Sequence, residues 1–301
     1  FGLASNAWHV LLARTTAWLG RGVRTPVRKA LLAAAVTRET YGRAFGFERM
    51  MDTVGAVIGP ATALALLALL GHDYPMLFAL TLLPGLAAAA LMAFVVREQA
   101  RTAVSHIRFG ASLRELPAEF RRLLIAVGLF GLGDFAHTML ILLAVQSLAP
   151  TLGAATAASF GAGLYLLHNA LYATFAMTAG WLADHFDKRR VLATGYLLAA
   201  VMGIAIVALP PNLWTLALVF ALGGVYVAIE ETLEDSLCAE LVPPAQHGMA
   251  FGTLATVNGI GDFASSIVVG LLWTTLGTTA AFGYSAVLAA CGAALVLRVK
   301  G

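Results

Sequence analysis

The chain has 301 residues, of which 60% are hydrophobic and 12% charged, with a formal net charge of +3 and a mean hydropathy of +0.84. A soluble domain carries about 25% charged residues, so the composition excludes one and marks an all-α polytopic membrane protein. The pI near 9.0 then points to basic cytoplasmic loops rather than to nucleic acid.

A membrane helix needs about 20 mostly apolar residues. Nine such spans are predicted, at 9–33, 46–70, 75–95, 122–147, 155–182, 191–209, 213–239, 249–275 and 279–297. Turns at Gly71–Pro75, Ala149-Pro150, Pro210–Asn212 and Gly277–Thr279 carry no Lys or Arg. The opposite set of connections holds Arg38, Arg43, Arg97, Arg101, Arg108, Arg114, Arg121, Arg122, Lys188, Arg189, Arg190, Arg298 and Lys300. That asymmetry assigns the second set, and the C-terminus, to the cytoplasm. Cys238 and Cys291 both fall in apolar spans, as packing residues rather than a disulfide or a metal pair. Trp181, Trp214 and Trp273 fall near span ends, where a headgroup belt forms.

In the first span Arg14 lies about one and a half turns inside the outer end, placed either to snorkel outward or to sit near a titrating acid. Arg24 and Arg28 follow at i,i+4, as do Thr25 and Lys29. In the second span Gly55 and Gly59 remove side chains one turn apart, which lets another helix approach, and Pro60 frees a backbone carbonyl. A packing seam is the plainer reading of the same residues. Between the third and fourth spans, 97–121 is the longest polar stretch. Its Ser112–Glu115 segment has a capping-box pattern, so a short surface helix is expected there.

The fourth span holds Asp134 and, at i+3, His137. A carboxylate and an imidazole so placed can pass a proton or form a satisfied pair inside a bundle. His168 and Asn169 are weaker cavity candidates in the fifth span. The loop after it, Gly180–Arg190, carries Gly180, Asp184, Asp187, Lys188, Arg189 and Arg190. Asp184 can accept hydrogen bonds from a neighbouring helix end and latch one conformation, or the loop can simply be a charged topogenic turn.

The seventh span has no Asp, Glu, Lys or Arg until Glu230, Glu231, Glu234 and Asp235. Each such charge costs roughly 2.5–3.5 kcal/mol to insert, so the group should face protein or a wet cavity. The eighth span holds Asn258 and Asp262.

An internal repeat relates these features. At an offset of 206 residues, Ala44-Phe45-Gly46 falls on Ala250-Phe251-Gly252 and Asp52 on Asn258. Arg24 falls on Glu230, Arg28 on Glu234 and Lys29 on Asp235. The first span thus pairs with the seventh and the second with the eighth, six helices apart, as in a parallel repeat of two six-helix halves.

Gly180–Arg190 is similar to the signature loop of the major facilitator superfamily, with His185 and Asp187 departing from its usual Arg and Gly. Leu11–Arg14 with Gly20 and Gly22 resembles that family's arginine-bearing fourth helix. Gly55–Pro60 resembles an element of its proton-exchanging exporters. The resemblance covers essentially the whole chain, read as helices 4–12 of twelve with the first three helices absent. It implies residues 1–96 from the N-terminal bundle, 97–121 as cytoplasmic linker and 122–301 as the C-terminal bundle. The first and seventh spans would face each other across a central cavity. The basic trio and the four acids would then pair as a gate when the cytoplasmic side closes. Charges solvated at the cytoplasmic lip are the alternative.

The function expected is secondary transport of a small solute by alternating access, coupled to protons, with efflux slightly favoured. The expected setting is a bacterial-type inner membrane, with a monomer in contact with lipid. The site candidates are Arg14, Arg24, Arg28, Asp134, His137, Glu230, Glu231, Glu234 and Asp262. The conformational motif comprises Gly55, Gly59, Pro60, Gly180, Asp184, Arg189 and Arg190. A non-transporting membrane sensor or partner subunit of the same fold is the alternative. No nucleophile–base set, phosphate loop or metal-ligand spacing stands out, so neither an enzyme nor a cofactor is expected.

Overall fold

A computed structural model describes residues 6–71, 73–94 and 116–299. Among them there is no strand, and eleven α-helices follow in order. They are α1 (Ala7–Ala35), α2 (Tyr41–Leu69), α3 (Tyr74–Leu80), α4 (Leu82–Phe94), α5 (Ala118–Gly131), α6 (Thr138–Leu152), α7 (Ala154–His185), α8 (Lys188–Ala208), α9 (Leu213–Leu241), α10 (His247–Leu276) and α11 (Thr278–Val296). The capping-box segment at Ser112–Glu115, with most of the 97–121 stretch, lies outside the described residues.

Every predicted span holds a helix, but two are broken. One breaks at Thr81 and the other between Gly131 and Thr138. The turn expected at Ala149-Pro150 falls later. Pro150 sits in the last turn of α6, and the chain reverses at Gly153, whose φ of 80° favours glycine. Among the described residues, six helical stretches are long and apolar enough to cross a membrane, including Lys188–Ala208, Leu213–Leu241 and Thr278–Val296. The protein is an integral, multi-pass membrane protein.

The repeat is visible in the helix ends. α1 begins at Ala7 and ends at Ala35, while α9 begins at Leu213 and ends at Leu241, each 206 residues later. Asn6 and Asn212, also 206 apart, both cap these helices through their side-chain oxygens. The short 3-10 turns Arg38–Thr40 and Pro244–Gln246, and the starts of α2 and α10, keep the same offset.

α9 is the central helix, packed against α7, α8 and α2. α1 packs on α10, and α9 on α2. These two contacts are one contact with the copies exchanged, as an axis between the repeats requires. The buried core gathers around α9 through Phe220, Tyr226, Leu233 and Cys238, with Phe130, Tyr196 and Phe282 from neighbouring helices. Close approach of α2 and α7 depends on glycine. A Cβ on Gly42 would stand 2.2 Å from the Gly180 carbonyl oxygen, and one on Gly46 2.5 Å from that of Ala176. By contrast, no described atom lies within 4 Å of a Cβ built on Gly55 or Gly59. The close approach expected there is not made among the described residues, and α2 runs continuously through Pro60.

Candidate functional site: an acidic cavity beneath an ion-pair cluster

The end of the bundle that carries Asp184, Asp187 and Glu240 is charged. Just inside it, α1, α2 and α9 meet through ion pairs. Lys29 Nζ donates to Asp235 Oδ1 at 2.6 Å, and Arg49 Nη2 donates to Asp235 Oδ2 at 2.9 Å. Arg49 Nη1 lies 3.0 Å from Glu231 Oε2, which also accepts from the Tyr172 hydroxyl. Asp235 is 1% exposed. Two cations and the surrounding hydrogen bonds compensate its burial, which a single surface pair would not.

Lys29 and Asp235 are repeat-mates. The other two expected pairs across the repeat do not form. Arg24 is exposed and joins no ion pair among the described residues. Glu230 has no hydrogen-bond or ion-pair partner among them. Helix geometry explains the difference. Residue 24 lies five positions before 29, about 140° round a helix of 3.6 residues per turn. The same rotation separates Glu230 from Asp235. If one pair of mates faces the axis, the other pair must turn away from it.

Arg28 and Glu234 also fail to meet. Each binds inside its own copy. Arg28 donates to Asp52 through both terminal nitrogens, at 3.1 and 2.7 Å, and contacts Glu48. Glu234 accepts from Asn258 Nδ2 at 2.7 Å and from the Tyr196 hydroxyl at 2.6 Å. Asn258 is the repeat-mate of Asp52, so Arg28–Asp52 recurs as Glu234–Asn258 with the charges changed.

Beyond this cluster lies a cavity of about 260 Å³. Its lining includes Lys29, Arg49, Asp134, Phe135, His137, Val227, Glu230, Glu231, Glu234, Asp235, Asn258 and Asp262. Glu230 is 7% exposed and about 17 Å from the charged end of α9, at about 1.5 Å per residue. Asp134 and His137 stand in the break between α5 and α6. There Ser265 Oγ donates to the Asp134 carbonyl, and Ala136 N–H donates to Ser266 Oγ at 3.3 Å. α10 thus satisfies backbone groups that a broken membrane helix would otherwise leave bare. The Tyr226 hydroxyl bridges the two side chains, donating to Asp134 Oδ1 at 2.9 Å and lying 2.9 Å from His137 Nε2. Asp134 and His137 are linked through this phenol, not directly. With the hydroxyl hydrogen on Asp134, the His137 Nε2 must carry the hydrogen that completes the chain. His168 is buried nearby, its ring 5.0 Å from that of His137. Asn169 turns back to donate to the Tyr165 carbonyl at 2.8 Å.

Arg14 is exposed on α1 and joins none of these contacts. At the charged end Asp184 Oδ1 accepts from the Gly42 N–H at 2.7 Å. Asp184 Oδ2 accepts from the Arg43 N–H at 3.1 Å and from Arg43 Nε at 2.9 Å. Asp184, in the last turn of α7, therefore caps the start of α2 beside the Gly42–Gly180 contact. Arg189 holds Asp187 with Nε and Nη2, both at 2.9 Å, and reaches the Val299 carbonyl at 2.7 Å. Those hydrogen bonds keep the Asp187 carboxyl below its ordinary range. Arg190 is exposed, 3.8 Å from Asp187.

Glu48, Arg49, Tyr172, Tyr196 and Tyr226 are the site residues that sequence reasoning missed. Arg49 had a usable signal, since a charge one turn from Asp52 and inside the predicted second span needs an acidic partner. The tyrosines had none, because a tyrosine in an apolar helix reads as core.

The profile of the Major Facilitator Superfamily matches residues 123–300. An uncharacterized MFS-type transporter of Methanocaldococcus jannaschii is 26% identical over 308 residues, covering 99% of this chain and 76% of its own length. An uncharacterized protein of Mycobacterium tuberculosis is 26% identical over 283 residues, covering 90% of this chain. The chain spans 66% of that relative, just under two thirds. Among solved structures, the Escherichia coli fucose:proton symporter superposes with a TM-score of 0.68 at 16% identity, over 92% of this chain and 73% of its own. A human organic anion transporter does so with a TM-score of 0.59 at 18% identity, over 90% and 67%. At such identities the likeness concerns the fold alone. The repeated helix pairs, the cavity between them and the profile match agree, and the chain belongs to the Major Facilitator Superfamily of membrane transporters.

Proposed function

We propose that this chain carries a small solute across the membrane by alternating access, driven by proton movement. The observation that carries the reading is the acidic cavity closed at one end by Lys29, Arg49, Glu231 and Asp235. Opening that end would require these contacts to break, so the cluster is a two-state element of the kind alternating access needs. The bridged Asp134–Tyr226–His137 set offers a carboxylate and an imidazole that can exchange a proton through one hydroxyl. Asp184 on the start of α2 would latch the same closed state.

On this reading the charged end is cytoplasmic, from the distribution of Lys and Arg. Residues up to 96 then belong to one bundle and those from 122 to the other, joined by 97–121. A monomer in a bacterial-type inner membrane is the proposed setting. Export against proton entry is favoured by the similarity of Gly55–Pro60 to the exchanging exporters.

The test is solute counterflow and net flux in proteoliposomes with and without an imposed pH gradient, over a panel of small solutes. Flux that rises with the gradient supports the proposal. Gradient-independent flux removes the coupling, and a protein that moves nothing in the panel favours the non-transporting alternative.

A further inference from the structure

We propose that the cavity's ligand is a small organic monocation, an amine or guanidinium of a few carbons, held by Glu230 with Asp134 and Asp262. This rests on the transport reading above and names its substrate class.

Cation accounting leads there. Lys29 is taken by Asp235, and Arg49 by Asp235 and Glu231. Arg28 is taken by Glu48 and Asp52. No Lys or Arg then remains on Glu230, Asp134 or Asp262 among the described residues. Glu230 itself is left bare. It is a carboxyl 7% exposed, it lines the cavity, and it has no hydrogen-bond or ion-pair partner among the described residues. Buried charged groups are normally paired, and the other four acids of α9, Glu231, Glu234, Asp235 and Glu240, all are hydrogen-bonded or ion-paired. A group left bare and facing a cavity is aimed at something that enters it.

Size and geometry narrow the class. The volume of about 260 Å³ lies just below the usual range for drug-sized ligands, about 300–1,000 Å³. No three His, Cys, Asp or Glu side chains converge as a metal site among the described residues. The carboxyls are spread around the cavity wall, which suits a cation with extent rather than a bare metal ion. Phe135 and Val227 add an apolar wall for the carbon portion.

The test is calorimetric binding to the full chain in lipid nanodiscs. Butylammonium, guanidinium and choline are each compared with a neutral counterpart of similar shape: butan-1-ol, urea and 3,3-dimethylbutan-1-ol. At least one cation should bind saturably, and its neutral counterpart at least tenfold more weakly. Glu230→Gln should weaken that cation on the order of tenfold to a hundredfold, as loss of a charged hydrogen bond does. Asp262→Asn provides a second variant if Glu230→Gln fails to fold, and should weaken the same cation. Equal binding of the neutral counterpart overturns the proposal. So does unchanged affinity in a folded Glu230→Gln or Asp262→Asn protein, or no binding of any cation to the folded wild type. Gradient-driven flux of neutral or anionic solutes without cation binding would sink this proposal and leave the transport reading standing. Cation binding without gradient-dependent flux would do the reverse.

Discussion

Lys29 and Asp235 are 206 residues apart, hold the same place in two copies of a repeat, and are hydrogen-bonded at 2.6 Å. Two mates can touch only where their helices approach the axis that relates them. The pair therefore marks where the two copies meet, and its neighbours mark where they diverge. The pair is symmetric in backbone and not in setting, because Arg49 also binds Asp235 while the repeat-mate of Arg49 is Ala255.

That asymmetry makes a stability prediction. Lys29→Met should cost about 3 kcal/mol, the lower end for breaking a buried pair, because Arg49 remains on Asp235. Replacing both, as Lys29→Met with Asp235→Leu, should recover only part of that loss, since Arg49 keeps Glu231 but loses Asp235. The charge exchange Lys29→Asp with Asp235→Lys should be worse than either, since it sets a lysine against Arg49. Thermal unfolding in detergent ranks the three, and a fully restored exchange variant would refute the role given to Arg49.

A second prediction concerns the seam between α2 and α7. Gly42→Ala puts a methyl 2.2 Å from the Gly180 carbonyl oxygen, so the helices must separate. Overpacking of this kind costs about 1–3 kcal/mol, which shifts a two-state equilibrium roughly 5- to 150-fold. Thiol labelling at Ala176→Cys, with Cys291→Ser to remove the exposed native thiol, reads the seam. Labelling should be slow in this background and faster with Gly42→Ala added. Asp184→Ala, which removes three hydrogen bonds to α2, should act in the same direction. Identical rates throughout would mean that the seam does not open.

The third prediction is for Tyr226→Phe. The ring remains, but Asp134 and His137 lose their bridge. An unsatisfied buried polar group costs about 1–3 kcal/mol, so gradient-driven flux should fall roughly 5- to 150-fold. Counterflow, which needs no net proton movement, should fall less. Equal loss in both assays would make Tyr226 a packing residue.

Much of this architecture was legible in the sequence. Apolar runs marked every span that holds a described helix, though not the breaks inside two of them, and the 206-residue offset marked the copies and the pair on their axis. Helix rotation was not legible. Arg24 opposite Glu230 is a sound match in alignment, yet both side chains stand about 140° away from the facing stripe. The break at Asp134 was also hidden, because Gly131-Leu132-Gly133 lies inside an otherwise apolar span and its stitching comes from Ser265 and Ser266 on another helix. Arg49 was passed over because its partners are more than 180 residues away in sequence.

The central claim is that the cavity carboxyls take part in coupled transport. Its most direct test is flux in proteoliposomes under an imposed pH gradient for wild type, Asp134→Asn and Glu230→Gln, beside counterflow for each. The account predicts that both variants remain folded and lose gradient-driven flux by at least about tenfold, roughly 1.4 kcal/mol. Gradient-driven flux equal to wild type in both variants would contradict it.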